Sequence, residues 1–205
     1  MKENFKLGGI LLIITMIAGL LLGFANDLTK EAIIENSKIS KEDLTYILPQ
    51  AEGIEDMDIN LDSEGSVKEI YEAVSGSDVV GYVLKINSKG FHGPIDFVVG
   101  ISKDDKVSGV KVLSHSETPG LGAKISEDKF ISRFKGKPAN GYLEVVKTTP
   151  NKDNEVEAIS GATISSKASV TAVNEAISFY LENIKGEEVA PQKETDADTG
   201  ASANQ

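Results

Sequence analysis

Between Leu7 and Ala25 the chain runs for nineteen residues without a charge, LGGILLIITMIAGLLLGFA. Wound as a helix at about 1.5 Å per residue, that run spans roughly 28 Å, close to the ~30 Å hydrocarbon core of a bilayer. Eleven of its residues are Leu, Ile or Phe, each favouring insertion by about 0.3–0.6 kcal/mol. Lys2 and Lys6 precede it and Asp27 follows it. Basic residues stay on the cytoplasmic side. Residues 1–6 are therefore expected in the cytoplasm, 7–26 as a transmembrane anchor in the cell membrane, and everything after them outside the cytoplasm. Gly23-Phe24-Ala25 also has the small-x-small form of a leader cleavage site. The run is, however, longer than a leader core of about 7–15 residues, which favours a retained anchor. Gly19 and Gly23 form a small-xxx-small pair. It is either an approach face for another helix or ordinary glycine usage in a membrane helix.

The rest of the 205 residues suffices for one globular domain. Its chemistry is narrowed by what the chain lacks. The net charge of −11 argues against nucleic acid, whose phosphates need a basic surface. With no cysteine there are no thiolate metal sites, Cys-ligated clusters or disulfides. His92 and His115 are the only imidazoles, too few for a multi-histidine metal site, so no metal residues are assigned. Redox chemistry would need a bound cofactor held by oxygen and backbone groups.

Residues 27 to about 51 are expected to be helical, with Ala32, Ile33, Leu44, Ile47 and Leu48 as apolar members, stopping at Leu48-Pro49. Then the period changes. Val67–Val74, Val79–Asn87, Pro94–Ser102 and Lys106–Ser114 are rich in Val, Ile and aromatics and predict strands, with Asp104-Asp105 as a hairpin turn. Glu127–Phe134 predicts a short helix, and Tyr142–Thr148 another strand. From Thr163 to Ile184, the residues Val173, Ile177, Tyr180, Leu181 and Ile184 make one apolar helical face. Residues 186–205 have almost no apolar content and are expected to form a disordered acidic tail. The fold class is α+β, an antiparallel sheet flanked by helices behind a single transmembrane helix.

Two segments stand out chemically. In Glu157-Ala158-Ile159-Ser160-Gly161-Ala162-Thr163-Ile164-Ser165-Ser166, small residues lead into the N-terminus of the long helix. Such an end carries unpaired N–H groups and partial positive charge, which suits a phosphate. A threonine N-cap explains the same placement. In His115-Ser116-Glu117-Thr118-Pro119-Gly120-Leu121-Gly122, Pro119-Gly120 fits the centre of a type II turn. By composition alone this is an ordinary surface turn. Gly90-Phe91-His92-Gly93-Pro94-Ile95 is a turn entering a strand, with Phe91 expected to pack and His92 and His115 expected on the surface. Lys124 and Lys167 are candidates for neutralising a phosphate.

Together these motifs resemble the FMN-binding family over residues 90–185, with 27–89 as a linker helix and the first part of the domain. SGAT is similar to the family's flavinylation motif, and ETPGLG to its second hallmark, about forty residues earlier. The resemblance implies FMN joined by a phosphoester to Thr163, with Ser160, Gly161 and Ala162 as motif neighbours. A dedicated flavin transferase makes that bond in the family. It also implies flavin contacts from Thr118 and Leu121, with Glu117, Gly120 and Gly122 matching the motif. The family usually has Asp six residues before the threonine. Here Glu157 keeps the carboxylate on a longer stem.

By size and layout the chain is similar to the G subunits of Rnf-type electron transport complexes. That likeness implies membrane and peripheral partner subunits, electron transfer between ferredoxin and NAD, and coupled Na+ or H+ transport. The expected role is that of an electron relay with no catalytic acid, base or nucleophile of its own. The alternatives are the equivalent C subunit of a Na+-pumping NADH:quinone oxidoreductase and a free-standing flavin-bearing electron-transfer module.

Overall fold

A computed structural model describes residues 2–36, 39–59 and 61–187. The chain divides into two units, one up to Ser40 and one from Lys41 onward. The expected tail lies, from residue 188, outside the described residues.

The first unit is a single helix, α1 (Lys2–Asn36). Its stretch Lys6–Lys30 is the one helix among the described residues long and apolar enough to cross a membrane. Its large apolar side chains, from Leu7 to Leu28, are all exposed within the chain. The Thr15 hydroxyl donates to the Leu11 carbonyl at 3.0 Å, so this polar group is satisfied by the helix itself and does not oppose an apolar surrounding.

The second unit opens with α2 (Lys41–Ile47), which ends where Leu48-Pro49 leaves helical geometry. The helical region predicted over residues 27–51 is thus two helices. Five strands follow in chain order: β1 (Gly53–Asp56), β2 (Val67–Ser75), β3 (Asp78–Lys89), β4 (Pro94–Ser102) and β5 (Lys106–Ser114). Each pairs antiparallel with the next, in the order β1-β2-β3-β4-β5. The β4–β5 hairpin turns at Asp104-Asp105, where Asp105 takes a φ of +57°. Residues 41–89 therefore build the same sheet as the residues that follow them.

Alternation along the strands sends side chains to two faces. On one, Leu84, Ile86, Phe97, Val99 and Ile101 meet the long helix α4 (Thr163–Phe179) in the main core. The predicted stripe of α4 is there: Val173 and Ile177 are fully buried, and Tyr180 and Leu181 nearly so. Those last two lie in a π-helical turn, Tyr180–Lys185, that closes the helix before Gly186. Tyr180 donates to Asp105 at 2.7 Å and Lys185 pairs with it at 2.8 Å, which ties the helix end to the β4–β5 turn. On the other face, Gly100 and Gly109 lie opposite each other in β4 and β5. They form a flat spot on which Ile47 sits; a Cβ on Gly109 would come within 2.8 Å of the Ile47 Cα.

Between sheet and helix the chain makes a 3-10 turn (Gly122–Ser126), a short helix α3 (Asp128–Ile131), and a further 3-10 turn (Ser132–Phe134). Two short strands, β6 (Glu144–Val146) and β7 (Glu155–Glu157), then pair in parallel. The ladder runs one step further, with the Ala158 N–H donating to Val146 at 2.8 Å. That extension delivers the chain directly to the N-terminus of α4.

Candidate functional site

Two turns of the same kind meet at the start of α4. In the first, the Leu121 N–H donates to the Thr118 carbonyl at 3.2 Å, and Gly120 has a φ of +76°. In the second, the Ala162 N–H donates to the Ile159 carbonyl at 3.0 Å, and Gly161 has a φ of +79°. Both need a residue that tolerates positive φ at the third position, which is why glycine stands there. A Cβ on Gly161 would lie 3.5 Å from the Leu121 side chain. The two segments singled out in the sequence are thus in contact.

What joins them is Glu117, only 5% exposed. Its Oε1 accepts the backbone N–H groups of Phe91 at 2.8 Å and His92 at 3.0 Å. Its Oε2 accepts the Ser165 hydroxyl from the first turn of α4. Gly122 makes room for this cluster, because a Cβ there would fall 2.5 Å from Glu117 Oε2 and 2.7 Å from Ser165 Oγ. Burial alone would raise the Glu117 carboxyl pKa. The hydrogen bonds from Ser165, His92 and Phe91 outweigh burial and hold it below the usual carboxylate range. One carboxylate therefore fastens the loop before β4, the turn after β5 and the start of α4.

Thr163 is the first residue of α4. The residue in the cap position is Ala162, which has no side-chain oxygen, so capping does not explain the threonine. The local tie is made by Ser166, whose hydroxyl accepts the Ile159 N–H and donates to the Ala162 carbonyl, both at 2.9 Å. Among the described residues the half-buried Thr163 hydroxyl has no hydrogen-bond partner. It sits beside the N–H groups of a 17-residue helix, an end that favours an anion.

Two cavities open at this threonine. One, of about 340 Å³, lies between the two motifs and is lined by Phe91, Glu117, Thr118, Leu121, Gly122 and residues 161–165. Its mouth is apolar, with Phe91 61%, Leu121 48% and Ile164 51% exposed. Phe91, expected to pack, is instead a free ring edge-on to His92 at 4.7 Å. His92, expected at the surface, is exposed, yet its Nδ1 lies 3.2 Å from Thr118 Oγ1 at the same pocket. Sequence reasoning missed its place because nothing in the order of residues says which loop faces residue 118. His115 accepts the Glu117 N–H at 3.2 Å.

The other cavity, of about 610 Å³, is polar and includes Ser160, Gly161 and Thr163, together with Lys124, Lys129, Arg133, Lys147 and Glu157. Glu157 is engaged by Arg133. Its backbone carbonyl accepts from Arg133, and its carboxylate lies 3.7 Å from that guanidinium. Lys124 lines the same cavity as Thr163, whereas Lys167 lines neither cavity.

These residues fit a flavin mononucleotide. An unpartnered hydroxyl at a helix N-terminus suits its phosphate, and an apolar pocket of this size beside exposed Phe91, Leu121 and Ile164 suits a flat ring.

Comparison with known proteins points the same way. Residues 90–178 match the model of the FMN-binding domain. The G subunit of the Na(+)-translocating ferredoxin:NAD(+) oxidoreductase complex of Acetobacterium woodii is 34% identical over 195 residues, covering 87% of this chain and 92% of that protein. The G subunit of the ion-translocating oxidoreductase complex of Methanosarcina acetivorans is 36% identical over 184 residues, covering 87% and 95%. Among solved structures, the C subunit of the Na(+)-translocating NADH-quinone reductase of Parabacteroides distasonis is 28% identical over 55% of this chain and 60% of that one, with a TM-score of 0.49. With identity above 30% across nearly the whole length of both G subunits, the chain belongs to the family of G subunits of ion-translocating oxidoreductase complexes.

Proposed function

We propose that this chain carries FMN bonded through its phosphate to Thr163 and serves as an electron relay in a membrane-bound ion-translocating oxidoreductase complex. The complex passes electrons between ferredoxin and NAD and couples that flow to Na+ or H+ transport, as the names of its relatives state for them. One observation carries the proposal: among the described residues the Thr163 hydroxyl has no hydrogen-bond partner, and it stands where an apolar pocket, a polar groove and a helix N-terminus meet.

FMN supplies one- and two-electron chemistry when bound. The chain's part is to hold it. Thr163 supplies the oxygen of the phosphoester, and the first turn of α4 offers N–H groups to the phosphate. Phe91, Leu121 and Ile164 present apolar surface to a ring, and Thr118, steadied by His92, adds a hydroxyl at the rim. Glu117 holds the Phe91–His92 loop and Ser165 in place and so fixes the walls of the pocket it lines. A flavin transferase installs the group during maturation. The anchor holds the N-terminus in the cytoplasm and the domain outside, and other subunits of the complex are its partners. A covalent bond suits that placement, since a dissociating cofactor would be lost from the cell.

The test is replacement in the assembled complex. Membranes carrying Thr163→Ala should contain the chain and its partner subunits yet lack ferredoxin-dependent NAD reduction. Undiminished activity in those membranes would rule the relay role out.

A further inference from the structure

The groove on the polar side of Thr163 is larger than a phosphoester needs, and its charge is opposite to that of the molecule. The chain as a whole carries −11, but Lys124, Lys129, Arg133 and Lys147 converge here against only Glu127 and Glu157. Arg133 is already committed: it donates to Glu157, pairs with the Glu157 carboxylate and stacks over the Phe130 ring at 5.6 Å. The three lysines are exposed and, among the described residues, none has an ion-pair partner. They come from three separate segments, the 3-10 turn after the second hallmark motif, α3, and the residue after β6.

A phosphoester on Thr163 brings one negative charge, which is fewer than the three exposed lysines that line the groove. A nucleotide base would want an aromatic face, but Phe130, the one aromatic ring lining the groove among the described residues, is 2% exposed and has Arg133 over it. The chemistry that remains is a set of carboxylates on another protein.

We infer that this groove is the docking surface for an acidic face of the redox protein or subunit that exchanges electrons with the group on Thr163. The inference rests on the flavin-carrier assignment above. The partner brings its own redox centre, which is oxidised as the flavin is reduced, or reduced as the flavin is oxidised. Exposed lysines give a contact that is steered, brief and weakened by salt, as electron-transfer encounters are.

The experiment uses the full chain in its assembled complex. Single-turnover reduction of its flavin is followed by absorbance at ionic strengths from about 0.05 to about 0.5 M. The variant is Lys124→Glu/Lys129→Glu/Lys147→Glu. The control is Lys103→Glu, a lysine next to the hairpin turn that joins β4 to β5. The triple variant should be slowed at least about tenfold at low salt, with the gap closing at high salt. Its flavin content should match wild type, and the control should be unaffected. In wild type, carbodiimide cross-linking should join these lysines, and not Lys103, to carboxylates of a neighbouring subunit. Equal rates at every salt concentration, with no such cross-links, would overturn the inference. So would loss of flavin from the triple variant, because the groove would then serve the cofactor's attachment. A wild-type chain without any flavin would remove the carrier assignment and the docking site with it.

Discussion

At the scale of single residues, Glu117 does more than its motif letter says. Its place in ETPGLG suggests a cofactor contact, and its oxygens also accept from Phe91, His92 and Ser165. Glu117→Ala should leave these donors unmatched and cost ~3 kcal/mol of stability. Glu117→Gln should cost less, and its deficit should depend on pH. The folded-state pKa is depressed, so the carboxylate's contribution is complete above the unfolded glutamate value of about 4.3 and is lost as pH falls below it. Thermal melts of wild type and Glu117→Gln should therefore differ most above the unfolded glutamate value and converge as pH falls through the lower, folded one. A gap that persists unchanged in acid would exclude the ionised clamp. Gly122→Ala, which forces a methyl against Glu117 and Ser165, should cost about 1–3 kcal/mol and lower the flavin bound per chain. Turn chemistry made the Gly120 turn legible in the sequence, and motif resemblance pointed to the segments around Leu121 and Thr163 that the fold brings together. The sequence could not show the Glu117–Ser165 bond, because partners 48 residues apart are set by the fold.

At the scale of elements, strands with strong alternation were readable almost to the residue: β4 and β5 have the predicted bounds. β1 and β7 were missed because GIED and EVE are short and at least half acidic, with too few apolar positions to show a period. Their pairing is supplied by neighbours, β1 by the edge of β2 and β7 by β6. Nor does the sequence announce the flat spot at Gly100 and Gly109, since each glycine alone looks like a weak point in a strand. The two glycines meet different parts of Ile47: a Cβ at Gly100 would strike its side-chain Cγ2, and one at Gly109 its backbone. Gly100→Ala and Gly109→Ala should each destabilise the chain by about 1–3 kcal/mol. Adding Ile47→Ala should relieve the first clash and leave the second. Urea midpoints of the four variants in detergent measure this coupling; identical behaviour of the two glycines would contradict the packing described.

At the scale of the whole molecule, the described residues combine one helix long and apolar enough to cross a bilayer with one domain in which a threonine hydroxyl, an apolar pocket and a lysine-lined groove meet. The membrane span and the cofactor class were legible in the sequence. The second cavity was not, because its lysines come from segments with no common pattern. The proposed orientation, which puts Lys2 and Lys6 inside, predicts that protease added to intact spheroplasts removes the domain; protection until the membrane is broken would reverse it. The central claim is that Thr163 bears the flavin. Its most direct test is intact-protein mass after full denaturation, from cells that also express an active flavin transferase. The account predicts one added FMN through a phosphoester, mapped to the peptide containing Thr163 and absent from Thr163→Ala. An unmodified wild-type chain, or a Thr163→Ala chain that keeps its flavin through denaturation, would contradict it.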